Sequence, residues 1–202
     1  MGLAHANSAM TAPRKMPAAS PSILISKSIV LVGLMGAGKT NIGKKLALEL
    51  GCDFCDSDKV IETVAGMSIS SIFELYGEDK FREIEAREIA SLVKGPPQII
   101  STGGGAFMQE ATRDIINQSS LSVWLKATPA TLASRISNLN SRPLLKGKDP
   151  VKVLTELSAQ RTPFYQEAEM VVDTDGLSLP AAIEKVKSAI LDYFDKQDGT
   201  TS

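Results

Sequence analysis

The chain has 202 residues, 43% hydrophobic and 22% charged, an ordinary globular balance with room for one domain around one core. A formal net charge of -1 gives no electrostatic footprint for a nucleic acid, and no apolar run approaches the roughly 20 residues that span a bilayer. Cys52 and Cys55 form a lone Cys-x-x-Cys with no second ligand pair, which argues against a zinc site. Acidic neighbours in GCDFCDSD would raise a thiol pKa, so both read as ordinary thiols; without a signal peptide they fit a reducing cytoplasm.

Residues 1–26 are rich in Ala, Ser, Met and Pro, lack acidic residues and show no apolar periodicity. They predict a disordered extension, with an organelle targeting peptide as the competing reading. Ser28-Ile29-Val30-Leu31-Val32 is a continuous apolar run that suits a strand buried on both faces. Helical spacing through Ile42, Leu46 and Leu50 follows and stops at Gly51. Phe54 leads to a second strand end at Asp56, and two or three helical pieces carry the chain to Leu92.

Gln98–Ser101 predicts a third strand closed by Gly103-Gly104-Gly105, and Leu121–Leu125 a fourth. Thr128-Pro129 opens a helix with a capping hydroxyl and a proline at the first helical position. Residues 139–150 break periodicity and read as a mobile loop, followed by a helix over about Pro150–Gln160. Met170–Val172 predicts a fifth strand, and Ser178-Leu179-Pro180 starts a last helix. Strands alternating with helices predict a parallel sheet covered on both sides, a three-layer α/β/α sandwich over residues 27–197 with a short tail at 198–202.

Gly33-Leu34-Met35-Gly36-Ala37-Gly38-Lys39-Thr40 matches G-x-x-x-x-G-K-[ST] without a gap, after a buried strand and before an amphipathic helix. Gly36, Ala37, Gly38, Lys39, Thr40 and Asn41 are therefore the candidate phosphate cradle. Backbone N–H groups and the helix N-terminus would meet the phosphates, Lys39 would reach the β and γ groups, and Thr40 would ligate Mg²⁺. No N-K-x-D is present for guanine, and the third strand ends without the carboxylate of a motor ATPase. The three glycines could let a ligand approach backbone N–H groups or could simply form a flexible loop.

Five stretches in order resemble the shikimate kinase family from about Ile29 to Ile190: the P-loop; Asp56-Ser57-Asp58; Phe81-Arg82-x-x-Glu85; Gly103-Gly104-Gly105; and Arg142-Pro143-Leu144-Leu145 followed by Arg161-x-Pro-x-Tyr165. The resemblance implies a five-stranded parallel sheet, a mobile lid at about 139–150, and phosphorylation of the shikimate 3-hydroxyl by ATP with Mg²⁺, by a monomer with no nucleic-acid or membrane partner. It makes Asp58 the partner of the attacking hydroxyl, and Asp56 with Thr40 the metal residues. An ordinary Asp, with a pKa of about 3.9, is a poor base for an alcohol, and largely dissociative transfer asks for little early proton removal. Asp58 therefore reads mainly as a positioner, or more plainly as a helix N-cap.

The resemblance also implies that Arg82 and Arg161 clamp the substrate carboxylate, with Glu85 orienting Arg82, and that Gly103, Gly104 and Gly105 line the acceptor pocket. A surface Arg82–Glu85 pair at i,i+3 is the bland alternative, and core packing would explain Phe73 and Phe81. Arg142 would bring a cation to the transferring phosphoryl, unless the loop is merely basic. Arg135 and the segment Asp173-Thr174-Asp175 resemble the adenine side. The extension before Ser22 is longer than a minimal family domain and is expected to be dispensable for activity; Thr40 replaces the commoner Ser and keeps the hydroxyl. A gluconate or nucleoside monophosphate kinase, or a non-catalytic nucleotide-binding module, are the competing functions.

Overall fold

The computed structural model describes residues 25–136 and 143–198. The first strand, β1 (Ser28–Val32), is buried at every position and lies in the middle of the sheet. Its neighbours are β3 (Gln98–Ser101) and β4 (Ser120–Lys126), with β2 (Asp53–Asp56) and β5 (Met170–Asp173) at the edges. The order is β2-β3-β1-β4-β5 and every pairing is parallel, with Ile29 opposite Ile99 on one side and Leu121 on the other. A strand flanked on both edges and both faces leaves no room for alternation, which is why β1 reads as an unbroken apolar run.

Helices cover both faces of this sheet. They are α1 (Lys39–Leu50), α2 (Ser57–Ala65), α3 (Ile69–Lys94), α4 (Glu110–Ser119), α5 (Pro129–Ser134), α6 (Pro150–Tyr165) and α7 (Leu179–Asp198). None of the described helices is long and apolar enough to cross a membrane. Most of the buried side chains join one cluster around the sheet, while Ile61, Ile72 and Phe81 form a second, smaller cluster between α2 and α3.

The expected two or three helical pieces up to Leu92 are present, one helical segment is new, and one helix end departs from the sequence expectation. Segment 57–94 is two helices, the second interrupted at Gly77, whose φ of +80° and ψ of 177° are not helical. Segment 110–119, with no expectation attached, is α4; its apolar residues are few, and Ile116 alone among them is fully buried. The helix expected to stop near Gln160 runs through Pro163 to Tyr165. It begins where Asp149 caps it, accepting from the N–H groups of Val151 and Lys152. The part of the expected mobile loop that is described, 143–150, includes a 3₁₀ turn at Pro143–Leu145 with Leu145 buried.

This topology decides where a ligand can go. Successive parallel strands place all their carboxyl ends on one edge, and the chain visits β3 and β4 on opposite sides of β1. The crevice at that reversal is where open α/β sheets bind ligands.

Candidate active site

The turn after β1 carries the glycine-rich loop. Gly36 has φ +83°, and a Cβ there would run into the Leu132 carbonyl of α5, so both backbone and space demand glycine. Gly38, at φ +87°, feeds the chain into α1, so that the N-terminus of α1 opens on the crevice. Lys39 Nζ donates to the carbonyls of Gly33, at 2.7 Å, and Leu34, at 3.0 Å, curling over its own loop. A cleft of about 670 Å³ runs along this loop from Met35 to Ile42 and is bordered by Asp56, Asp58, Gly103, Gly104 and Arg135.

Three oxygens meet beside the loop. The Thr40 hydroxyl donates to Asp56 Oδ2 at 3.0 Å and lies 3.3 Å from the Ser101 hydroxyl. Hydroxyl and carboxylate oxygens are the hard donors that Mg²⁺ takes, and Mg²⁺ keeps most of its waters and needs few protein ligands. The donor set fits that ion. No cluster of three or more His, Cys, Asp or Glu side chains suited to a metal occurs among the described residues. Ser101 carried no expectation from the sequence.

Arg135 ends α5 and reaches the loop after β5, donating to the carbonyls of Thr174 at 2.7 Å and Leu177 at 3.0 Å. The other end of α5 is tied to the same loop, because Asp175 Oδ1 accepts from both the N–H and the hydroxyl of Thr128. Donation from the Thr131 hydroxyl, and then from Thr128, holds the Asp175 carboxyl down at about 2. The wall of the cleft beyond the phosphate loop is thus stapled at both ends of one short helix.

The glycine run after β3 collects the remaining charged groups. A Cβ on Gly103 would lie 2.8 Å from Asp58 Oδ1 and 3.2 Å from Glu85 Oε1. On Gly105 it would lie 2.7 Å from the Arg82 guanidinium, and on Gly104 3.4 Å from Arg161. Asp58 stands in the first turn of α2; Asp56 supplies the cap expected as one reading of Asp58, accepting from the Asp58 N–H at 3.2 Å. Arg82 is half-buried and donates to Glu85 at 2.7 Å and to Glu78 at 3.0 Å. Glu85 is 1% exposed, so its pair with Arg82 is not the exposed helix-surface contact that i,i+3 spacing alone suggests. Burial pushes the Glu85 carboxyl up, the Arg82 guanidinium opposes this, and the nearby Asp58 carboxylate adds to the upward push.

Arg161 arrives from α6 and donates to the Gly104 carbonyl at 3.0 Å; the Tyr165 hydroxyl, one turn later, donates to the same oxygen at 2.7 Å. Arg82, Arg161 and Gly105 do not line the cleft itself but border it through the glycine run. Phe81 belongs to the small cluster between α2 and α3, and Phe73 packs against it with the rings tilted and their centroids 4.6 Å apart; neither lines the cleft. Arg142 lies outside the described residues. Cys52 and Cys55 are free, half-buried thiols, raised by burial and then by Asp53 and Asp56 respectively.

The arrangement can hold a polyphosphate along the P-loop and present a small anionic alcohol to it from the glycine run. The family model for shikimate kinase matches residues 35–191. A shikimate kinase of Caulobacter vibrioides is 50% identical over 167 residues, covering 83% of this chain and 84% of the relative. One from Ruegeria pomeroyi is 46% identical over 82% of this chain and 86% of its own. Among solved structures, shikimate kinase from Acinetobacter baumannii in complex with shikimate superposes with a TM-score of 0.77 at 34% identity, covering 83% of this chain and 94% of that one. Motif order, fold and kinship agree: the chain belongs to the shikimate kinase family.

Proposed function

We propose that this chain transfers the γ-phosphoryl group of ATP to the 3-hydroxyl of shikimate, giving shikimate 3-phosphate and ADP. The observation that carries this is the convergence of Asp58, Arg82 and Arg161 on one glycine run that borders the P-loop cleft. Family membership supports the reaction and both substrates.

In this reading, the loop from Gly36 to Asn41 cradles the phosphates with its N–H groups. Lys39 leaves its loop carbonyls for the β and γ oxygens. Thr40 and Asp56 would hold Mg²⁺, which when bound neutralises phosphate charge. Arg135 flanks the base. Arg82 and Arg161 take the shikimate carboxylate, since guanidinium groups match a carboxylate with paired N–H donors. Glu85 aligns Arg82 and offsets its charge. Gly103, Gly104 and Gly105 let the ring approach the backbone, because side chains there would occupy the space that Asp58, Arg161 and Arg82 now fill.

Asp58 accepts a hydrogen bond from the attacking hydroxyl and orients it in line with the phosphoryl group; proton removal comes late in a loose transfer. The resemblance extends the same reading to Arg142 as a cation for the transferring group. The enzyme is proposed to act as a monomer in a reducing cytoplasm, where both cysteines would stay free thiols.

A coupled ADP-release assay with ATP and Mg²⁺ tests the proposal, comparing shikimate, gluconate, nucleoside monophosphates and no acceptor. Turnover with shikimate alone is expected. Turnover with another acceptor would overturn the roles of Asp58, Arg82 and Arg161, and binding of ATP without any transfer would overturn the enzymatic reading.

A further inference from the structure

We infer that Tyr165 is a positioning residue for acceptor binding: its hydroxyl, through the carbonyl of Gly104 that it shares with Arg161, holds the Arg161 guanidinium where a substrate carboxylate can meet it. The inference rests on the reading of Arg161 as a carboxylate ligand.

The geometry is specific. Tyr165 ends α6 and is 1% exposed. Its ring packs with that of Phe107, at 6.4 Å, and that of Trp124, at 5.7 Å, so the phenol has one direction in which to point. That direction ends on Gly104 O at 2.7 Å. Arg161 lies one helical turn earlier on the same face, and its Nη1 reaches the same oxygen at 3.0 Å. A carbonyl oxygen has two lone pairs, and the two donors use them both. A guanidinium carries five N–H donors, so one spent on Gly104 leaves a fork for a carboxylate.

The shared carbonyl fixes more than one side chain. The Gly104–Gly105 peptide is trans and planar, so orienting its C=O sets the direction of the Gly105 N–H on the opposite side. In a run of three glycines nothing intrinsic would hold that plane. Arg161 is a long side chain that pays rotamer entropy to stay in place, and a rigid phenol on the same acceptor lowers the freedom of the acceptor instead. Burial pushes the Tyr165 pKa up to about 12 against the opposing pull of Arg161, so the hydroxyl remains a donor throughout any working range.

A second tie joins the same two segments. Arg113 of α4, 7% exposed, donates to Glu167, just beyond α6, at 2.6 Å and to the Phe107 carbonyl, just beyond the glycines, at 3.2 Å. The backbone frame therefore survives removal of the Tyr165 hydroxyl, and the hydroxyl is left with the finer task of aiming Arg161.

The test is steady-state kinetics on Tyr165→Phe, Arg161→Ala and the double variant, after the wild-type enzyme has been shown to turn over shikimate; failure of that control would dispose of the functional reading rather than of Tyr165. Losing one hydrogen bond of ordinary strength predicts a rise in shikimate KM of about 3–10-fold for Tyr165→Phe, with ATP KM within about twofold of wild type. In the Arg161→Ala background the same change should have no further effect on shikimate KM, because the group being aimed is gone. Multiplicative effects in the double variant would overturn the inference, as would an unchanged shikimate KM in Tyr165→Phe or equal rises for both substrates. Tyr165→Phe keeps the ring and its packing, and its melting temperature checks that the comparison is made between folded enzymes.

Discussion

The two oxygens of Asp56 face different parts of the site: Oδ2 accepts from the Thr40 hydroxyl at 3.0 Å and Oδ1 accepts from the Asp58 N–H at 3.2 Å. One carboxylate thereby joins the start of α1, where phosphates and metal would sit, to the start of α2, which carries Asp58. Asp56→Ala removes a helix cap, costing about 1 kcal/mol of stability, and frees Asp58 from its register with Thr40. The expected result is a lower melting temperature, a fall in kcat and a Mg²⁺ requirement shifted to higher concentration. An unaltered Mg²⁺ titration would separate Asp56 from the metal.

Asp58→Asn keeps the size of the side chain and its place near Gly103 while removing the charge. Turnover should fall by at least about 100-fold, the scale set by misaligning a reacting group. ATP affinity, measured by calorimetry without acceptor, should stay within about twofold of wild type, an allowance small beside the tenfold that accompanies 1.4 kcal/mol. Near-normal turnover would remove Asp58 from the mechanism.

Arg161→Ala should raise shikimate KM by about 10–100-fold, as expected when hydrogen bonds to a charged group are lost. ATP KM should hardly move, and an unaltered shikimate KM would place Arg161 outside the pocket.

Gly105→Ala is a gentler probe of Arg82. Gly105 has φ −96° and ψ −15°, which alanine adopts freely, but the added methyl would meet the guanidinium at 2.7 Å. Arg82 is long and must yield. The enzyme should remain folded, with shikimate KM raised by about tenfold and ATP binding intact, roughly the cost of one charge-assisted hydrogen bond.

Much of this was legible in the sequence because its chemistry is local. β1 and β3 could be bounded to the residue, since each is an apolar run closed by glycine or by a small polar residue. Thr128 and Pro129 announced α5 through capping alone. What was not legible is tertiary. α4 is polar along most of its length and shows its role only through buried Thr112, Arg113 and Ile116. The helix expected to end near Gln160 continues through Pro163, so Tyr165 was noticed as part of a motif and not as a neighbour of Gly104. Ser101 gave no signal beyond its place at a strand end; only the pairing of β1 with β3 brings it to Thr40.

Asp175 allows a pH experiment away from the reacting groups. Its folded pKa, about 2, lies below the unfolded value of about 3.9. A depressed carboxylate stabilises above its unfolded pKa and loses that contribution as pH falls through the folded one. The melting-temperature difference between wild type and Asp175→Asn should therefore be constant above about pH 4 and shrink between about pH 4 and pH 2. A difference that persists undiminished to the acid limit would mean that the carboxylate charge is irrelevant to the staple. The effect should be small, because the group is solvent-exposed.

The break at Gly77 and the separate cluster of Ile61, Ile72 and Phe81 give the Asp58 side of the site its own foundation. Asp58 stands on α2, over the small cluster, whereas Lys39 and Thr40, the second half of α3 through Ile89 and Val93, and α6 with Arg161 are anchored to the large cluster around β1. A small cluster opens at lower free energy than the main one, so amide hydrogens of α2 and the first half of α3 should exchange with solvent earlier than those of β1 and α1. Such an opening would move Asp58 away from the glycine run while the phosphate loop and the two arginines keep their footing.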